Sequence, residues 1–368
     1  LERFLNDDAP CFALLRTGLG YLLLDRSGMR AVQDRINGHA SWGGPDGLTR
    51  MMRNRSRAGQ QAEADMRRYA IARCTPWGLH RLLAKLPAGT AYYNVGPSDL
   101  TARVLSALRR VSIQINVLVH DVIPLEYPEY QRPGTVEPFR AKIERTRQYA
   151  DRIIYNSADT MRRTERQMAK QGSVPDGIVA HLGTVPPAPA PSQLPEGLPP
   201  QGPYFVTVGT IEPRKNHALL LDIWERLGPD APPLLICGSR GWNNDAVFAR
   251  LDALGPDSAV RELPGLKDPA LASLVENAAG ALFPSHAEGF GLPPLEAVML
   301  GTRVLCNDLD VLREFLGNMP VYASVSDQYL WEDTIRKWCA DAGKTDGKAD
   351  FTGPTWDAHF NKVLSAPS

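Results

Sequence analysis

Short apolar runs rich in β-branched residues recur along this chain, and longer stretches with helical spacing of apolar positions fill most of the gaps between them. Strands are expected near 11–16, 20–25, 90–95, 113–120, 152–156 and 177–182, and again near 204–208, 233–237, 260–263, 280–284, 303–306 and 321–323. Apolar strands alternating with helices are the pattern of parallel sheets covered by helices on both faces. Between Pro186 and Pro203 the pattern breaks: eight prolines in a polar, alanine-rich setting favour an extended, semi-rigid connector. Two α/β domains are therefore expected, with their boundary there. After Gly353-Pro354 the segment 355–364 reads as an amphipathic helix with Trp356, Phe360 and Val363 on one face. The opening Leu1-Glu2-Arg3-Phe4-Leu5 reads as the end of a helix rather than the start of a domain.

A length of 368 residues agrees with two domains of roughly 150–200 residues each. With 41 basic and 41 acidic residues, a nucleic-acid partner is disfavoured. The five cysteines are scattered, odd in number and without CxxC spacing, which argues against a disulfide framework or a zinc site and fits a reducing cytoplasm. No run approaches the ~18 apolar residues of a membrane span, and the N-terminus lacks a signal-peptide pattern.

The most informative stretch is Ser285-His286-Ala287-Glu288-Gly289-Phe290-Gly291-Leu292-Pro293-Pro294-Leu295-Glu296-Ala297. It follows an apolar strand end, Gly280 to Pro284, and Pro293 and Pro294 suit a first helical turn, where a missing N–H costs nothing. Gly289 and Gly291 allow close backbone approach, and the first-turn N–H groups favour a phosphate. Two acids at such a place suit hydroxyl partners, as on ribose or hexose. The plainer alternative is that Glu296 complements the helix dipole and the glycines serve a tight turn. Gly301 is expected to end the helix.

A second constellation follows the strand Tyr204 to Val208: Gly209-Thr210-Ile211-Glu212-Pro213-Arg214-Lys215-Asn216-His217, then a helix from about Ala218 to Leu227. A glycine turn with a basic pair before a helix suits a diphosphate. Lys215 offers a compact ammonium, whereas Arg214 either forks onto phosphate or pairs with a carboxylate such as Glu212. Gly238, after the strand 233–237, reads chiefly as turn chemistry, and Leu266 lies in another glycine turn. In the first half, His120-Asp121 ends the strand 113–120, where α/β sheets place ligands, and Ser157 reads as a helix N-cap. Asn94-Val95-Gly96 reads as a simple turn. The run from Arg50 to Arg57 with Arg67 and Arg68 is the most basic part of the chain. Its region, 50–68, suits anionic lipid headgroups or a lipid-diphosphate acceptor, or else a solvated helix face. Asp308-Leu309-Asp310 lies in the wrong sheet context for a metal-binding pair, and no cluster has metal-ligand spacing.

The two strings, Gly209 to Asn216 and Ser285 to Ala297, together with His120-Asp121-Val122-Ile123-Pro124-Leu125, resemble the motifs of the family 4 retaining glycosyltransferases, mannosyltransferase-like members among them. The resemblance implies the GT-B fold: two Rossmann-like domains with parallel sheets facing an interdomain cleft. Domains would then be 1–198 on the acceptor side, lacking its first strand, 199–352 for the donor, and 353–368 as a helix crossing back to the first. It implies transfer of a hexose from a nucleoside-diphosphate sugar, GDP- or UDP-linked, to a hydroxyl with retention of configuration and no metal or cofactor. Bacterial surface glycan synthesis at the inner membrane face is the expected setting, with a glycan or lipid-linked acceptor. Lys215 and Arg214 would stabilise the leaving diphosphate, Glu288 would orient the donor sugar, Glu296 would hold the ribose, and His120 would contact sugar or phosphate. Gly209, Thr210, Leu266, Gly289, Phe290, Gly291 and Leu292 would line the donor. Thr210 stands where many relatives have an arginine. A nucleotide-sugar 2-epimerase of the same fold and a non-catalytic nucleotide-sugar-binding protein are the rivals.

Overall fold

The computed structural model describes residues 2–6, 8–50, 56–96, 98–341 and 351–365. Contacts divide the chain into two units, Leu1–Asn116 with Tyr149–Asp151, and Val117–Gln148 with Arg152–Ser368.

In the first unit, β1 (Ala13–Thr17), β2 (Gly20–Leu24) and β3 (Ala72–Cys74) form a three-stranded sheet in the order β1-β2-β3. Its pairings are antiparallel, so the expectation of parallel sheets does not hold for this part of the chain. The cause is local. Only Gly18 and Leu19 separate the two strands, with Thr17 opposite Gly20, and a two-residue link can join only antiparallel neighbours. All of β2 is buried, and Leu24 packs with Leu5, Met29 and Val32 against Trp42, Met66 and Tyr69. The helix Arg26–Ile36 starts where Asp25 accepts a hydrogen bond from Gly28 N at 2.8 Å. β4 (Ala91–Asn94) and the first residues of β5 (Gln114–Val119) also belong here.

The basic stretch is partly explained by the helix Arg57–Tyr69. Residues 51–55 lie outside the described residues. Arg67 is buried; it bonds Asp46 through Nε and Nη2 at 2.9 Å each, and Glu63 through Nη1 at 2.8 Å. Arg68 pairs with Asp65, which also accepts from Arg35 at 2.8 Å. Acids three and four positions back on the same helix take up these charges, so Arg67 presents no charge to a lipid surface.

The second unit holds β6 (Arg152–Tyr155) and β7 (Asp176–Val179), paired in parallel, and then a six-stranded sheet. Its strands are β8 (Phe205–Val208), β9 (Leu234–Cys237), β10 (Val260–Glu262), β11 (Gly280–Phe283), β12 (Val304–Cys306) and β13 (Val321–Tyr322). Their order is β10-β9-β8-β11-β12-β13 and every pairing is parallel. The chain winds outward from β8 to β10, returns to the other side of β8 with β11, and winds outward again. A crevice therefore opens beyond the carboxyl ends of β8 and β11, where open α/β sheets bind their ligands. Near-continuous apolar strands make this arrangement stable: Phe205, Leu234, Ile236, Leu282 and Leu305 face one helix layer, and Val206, Leu235, Ala281, Phe283 and Val304 the other.

The proline-rich connector is docked along the sheet unit. Ala190 N donates to Pro269 O at 3.0 Å, and Leu194 and Leu198 pack on the core. The last helix, Trp356–Ser365, sits against the segment after β7: His359 Nδ1 lies 3.1 Å from Ala180 O, and Thr184 N donates to Pro354 O at 3.0 Å. Among the described residues no helix is long and apolar enough to cross a membrane.

Candidate functional site

β8 delivers its chain to the crevice through Gly209, whose φ of 138° lies outside the range comfortable for other residues. A 3-10 turn, Pro213–Lys215, follows, and Asn216 at φ 54° turns the chain into the helix His217–Leu227. β11 delivers Ser285 to Gly291 beside it. Pro293 and Pro294 occupy the first turn of the helix Leu292–Met299, which Gly301 closes at φ 84°. The two loops are tied by His286 N donating to Arg214 O at 2.7 Å.

That tie brings three charged side chains into contact. Lys215 Nζ donates to Glu288 Oε1 at 2.6 Å, and Arg214 Nη1 to Glu288 Oε2 at 3.0 Å and to Ala287 O at 2.9 Å. Arg214 Nη2 lies 2.9 Å from Glu212 Oε1. Glu212, Lys215 and Glu288 are all buried. Burial works against the charge on Glu288, but Lys215 and Arg214 outweigh it and hold the carboxyl below the usual range. Burial likewise opposes the charge on Arg214, and Glu288 and Glu212 raise its pKa above the ordinary guanidinium value regardless. Glu212 is pushed up by burial despite its cationic neighbours. An ammonium has three N–H donors, and Glu288 takes one of Lys215's; among the described residues no other group takes the remaining two. Glu288 thus fixes the lysine while leaving it able to grip an anion. Arg214 meets both carboxylates, which settles its partnering in favour of an ion pair as the structure stands.

His120 and Asp121 also come to this place. The His120 carbonyl accepts from Asn156 Nδ2 at 2.9 Å, and Asp121 Oδ1 from Ile123 N at 3.0 Å; burial pushes the Asp121 carboxyl up. A Cβ on Gly289 would lie 3.0 Å from both Asp121 Cβ and the His120 carbonyl oxygen. This glycine therefore serves a close approach, to the protein's own backbone. Thr160 donates its hydroxyl to Gly289 O at 3.1 Å, and Ser157 caps the helix Ala158–Ala169 as its sequence suggested. Gly291, at φ 90°, leaves no room for a Cβ against Leu312.

The other expected positions are spread more widely. Phe290 is a core side chain stacked 4.5 Å from Phe315, so only its backbone is free to face the crevice. Leu292 is exposed on the first helical turn, Thr210 is exposed in its loop and Leu266 is half-buried. Glu296 is half-buried; burial and the Asp268 charge raise its pKa, and its carboxylate has no hydrogen-bond partner among the described residues, which leaves it open to a hydroxyl donor. Gly238 differs from its reading as turn chemistry. A Cβ there would overlap the Gly209 carbonyl oxygen, and one on Gly241 would crowd Thr210. Both glycines are demanded by packing of the β9 turn under the Gly209 loop. Sequence reading also missed Thr160, which follows its N-cap serine with no local sign that it reaches Gly289.

The parallel sheet in this order agrees with the GT-B fold, which the chain shares with the solved structures it resembles. The chain resembles HepE from Anabaena, solved with UDP and glucose, with a TM-score of 0.58 and 16% identity over 79% of this chain and 78% of that one. It also resembles a UDP-forming α,α-trehalose-phosphate synthase from Burkholderia xenovorans, solved with glucose-6-phosphate, with a TM-score of 0.52 and 12% identity over 97% and 85% of the two chains. Residues 193–346 match the family described as Glycosyl transferases group 1. Its curated relatives include the Escherichia coli serotype-specific mannosyltransferase WbdA, 28% identical over 269 residues that make up 66% of this chain and 33% of the relative. The E. coli O-antigen chain mannosyltransferase B is 34% identical over 127 residues, 34% of this chain and 33% of the relative. The matched region spans about a third of the length of these relatives.

Proposed function

We propose that this chain transfers a hexose, of which mannose is the first candidate, from a nucleoside-diphosphate sugar to a hydroxyl of a bacterial surface glycan. The observation behind this reading is the contact of Lys215 and Arg214 with Glu288 at the carboxyl ends of β8 and β11. The names of the mannosyltransferase relatives supply the sugar. In this reading the donor diphosphate lies on the Gly209 loop, where the two spare N–H groups of Lys215 and the Arg214 guanidinium meet the charge that grows as the sugar–phosphate bond breaks. Positive side chains held in advance at a poorly solvated site stabilise that charge without reorganisation, and no metal is needed for the task. Glu288 positions Lys215 and orients the sugar, and Glu296 receives the ribose hydroxyls. His120 stands beside the sugar or phosphate, and the backbone of Gly209, Thr210, Leu266, Gly289, Phe290, Gly291 and Leu292 lines the donor.

The acceptor hydroxyl attacks C1 on the face the diphosphate leaves, its proton passes to a leaving phosphate oxygen, and the anomeric configuration is kept. The donor is GDP- or UDP-linked, and a lipid-carried acceptor would place the work at the inner membrane face. The test is a transfer assay on the full chain with GDP-mannose, alongside thermal shifts with a panel of nucleoside diphosphates. Stabilisation by one nucleotide, with turnover that Lys215→Ala and Glu288→Ala each abolish, is the expected result. No nucleotide binding, or undiminished turnover in either variant, would overturn the reading.

A further inference from the structure

Charge is balanced over the whole chain but not along its first unit. From Met66 to Val119 the sequence has eight basic residues and one acid, Asp99, which pairs with Arg16. Three of the eight are spoken for: Arg67 and Arg68 by Asp46, Glu63 and Asp65, and Arg109 by Asp151 at 2.7 Å. Arg73, Arg81, Lys85, Arg103 and Arg110 have no carboxylate partner among the described residues.

Two helices gather four of these cations on one face. The 3-10 turn Pro76–Gly78 runs directly into the helix Leu79–Leu83, and beyond it Lys85 N still donates to Leu82 O at 3.2 Å. Along this run Leu79, Leu82 and Leu83 are buried, while Trp77, Arg81 and Lys85, spaced four apart, are exposed. The helix Ala102–Arg110 packs beside it and buries Val104, Leu105 and Leu108. Its exposed stripe is Arg103, Ser106 and Arg110, spaced three and four apart. Arg103 joins the two stripes, because its guanidinium lies over the Trp77 ring, 5.1 Å from the centroid.

Single exposed apolar side chains are common on protein surfaces, but a tryptophan 81% exposed among unpaired cations is a more particular combination. An indole is apolar with one N–H donor, which suits the headgroup level of a bilayer. The cations around it supply attraction to an anionic surface, and their long stems let the charges reach lipid phosphates while the ring sits deeper. A nucleic-acid base would need an open ring to stack on, and Arg103 covers one face of Trp77.

We propose that this face, Trp77 with Arg81, Lys85, Arg103 and Arg110, docks the first unit onto an anionic bilayer surface, with the indole seated among the headgroups. The surface stands on the first unit alone and is independent of the glycosyl-transfer reading of the Glu288 site. One ring and a few charges give reversible, salt-sensitive attachment rather than a permanent anchor.

The test sediments the full chain with vesicles of phosphatidylcholine alone and with vesicles that also contain phosphatidylglycerol. The wild type should bind only the anionic vesicles and leave them as salt is raised. The pair Arg81→Ser and Lys85→Ser should weaken binding about tenfold or more, and Trp77→Ser by a similar factor. These side chains are exposed, so the variants should keep the wild-type melting temperature. Trp77→Phe should retain most of the binding and lose the part of the fluorescence quenching that phospholipids brominated on their acyl chains produce, which marks the indole as the seated group. No binding to anionic vesicles, equal binding to neutral ones, unaltered binding in the serine variants or unaltered quenching in Trp77→Phe would overturn the proposal. So would tighter binding of a single-stranded RNA oligonucleotide that the same serine variants lose.

Discussion

Two clusters of ions in this chain, each centred on buried side chains, end in opposite conditions. In the first unit, Arg67 spends all three guanidinium nitrogens on Asp46 and Glu63, and Asp65 is closed off by Arg35, Arg68 and Gly43 N. In the second, Lys215 is anchored by one bond to Glu288 and, among the described residues, keeps two N–H groups unspent. The closed cluster sits on a helix flank. The open one sits at the carboxyl ends of two parallel strands, flanked by glycines. Burial and perturbed pKa values are common to both: the Asp65 carboxyl, like that of Glu288, is pushed up by burial and brought below the usual range by its partners. What separates a closed ion group from one open to a ligand is unspent hydrogen-bonding capacity at a place a ligand can reach.

The sharpest way to break this comparison is to remove one ion from each cluster. Lys215→Ala and Glu288→Ala should lower transfer by about 10²–10³-fold or more, the scale of losing a positioned charge in a catalytic site, with the circular dichroism spectrum unchanged. Arg67→Ala should leave the buried Glu63 and the partly exposed Asp46 without their guanidinium and destabilise the first unit by about 3 kcal/mol in urea unfolding, with transfer per folded molecule retained. If Arg67→Ala instead abolished transfer at full stability, the distinction would collapse.

A second pair concerns the frame around the open cluster. His217, at the start of the helix behind Lys215, is buried, its Nδ1 has no hydrogen-bond partner among the described residues, and burial lowers its pKa to about 4. The unfolded chain, with an ordinary His pKa near 6.5, binds the proton first. This contribution to stability is therefore whole above pH 6.5 and is lost as pH falls toward about 4, amounting to up to about 3 kcal/mol. His217→Leu should flatten that limb of a plot of melting temperature against pH, and an unaltered limb would show that other groups govern it. Gly238→Ala, which drives a methyl into the Gly209 carbonyl oxygen, should cost about 1–3 kcal/mol and displace the Lys215 loop, raising the donor KM. Gly289→Ala, with 3.0 Å contacts to Asp121 and His120, should have a smaller effect of the same kind.

The halves of the chain were unequally legible for the same physical reason that they differ in structure. The four central strands of the six-stranded sheet, β8, β9, β11 and β12, were visible as apolar runs, because strands buried on both faces have no alternation to obscure them. β3, only Ala72–Cys74 and half-exposed, left no such trace, and the Gly18-Leu19 link that makes β1 and β2 antiparallel was not singled out. At the site, Glu288, Lys215 and Gly289 stood out through their motifs. Thr160 and Gly238 did not, since what they contact lies 129 residues away in one case and across a neighbouring strand in the other.

By itself the sequence determined the alternation of apolar strands and helices, the prolines and glycines that bound the Leu292–Met299 helix, and the presence of a basic pair and two acids in loops that follow strands. These depend on local periodicity and backbone conformation, which neighbouring residues dictate. Only the tertiary structure decided that Lys215 meets Glu288 across 73 residues, that Phe290 turns into the core and that Arg67 is neutralised within its own unit. Those outcomes follow from strand order and packing, in which β11 returns beside β8 and sets two distant loops a hydrogen bond apart.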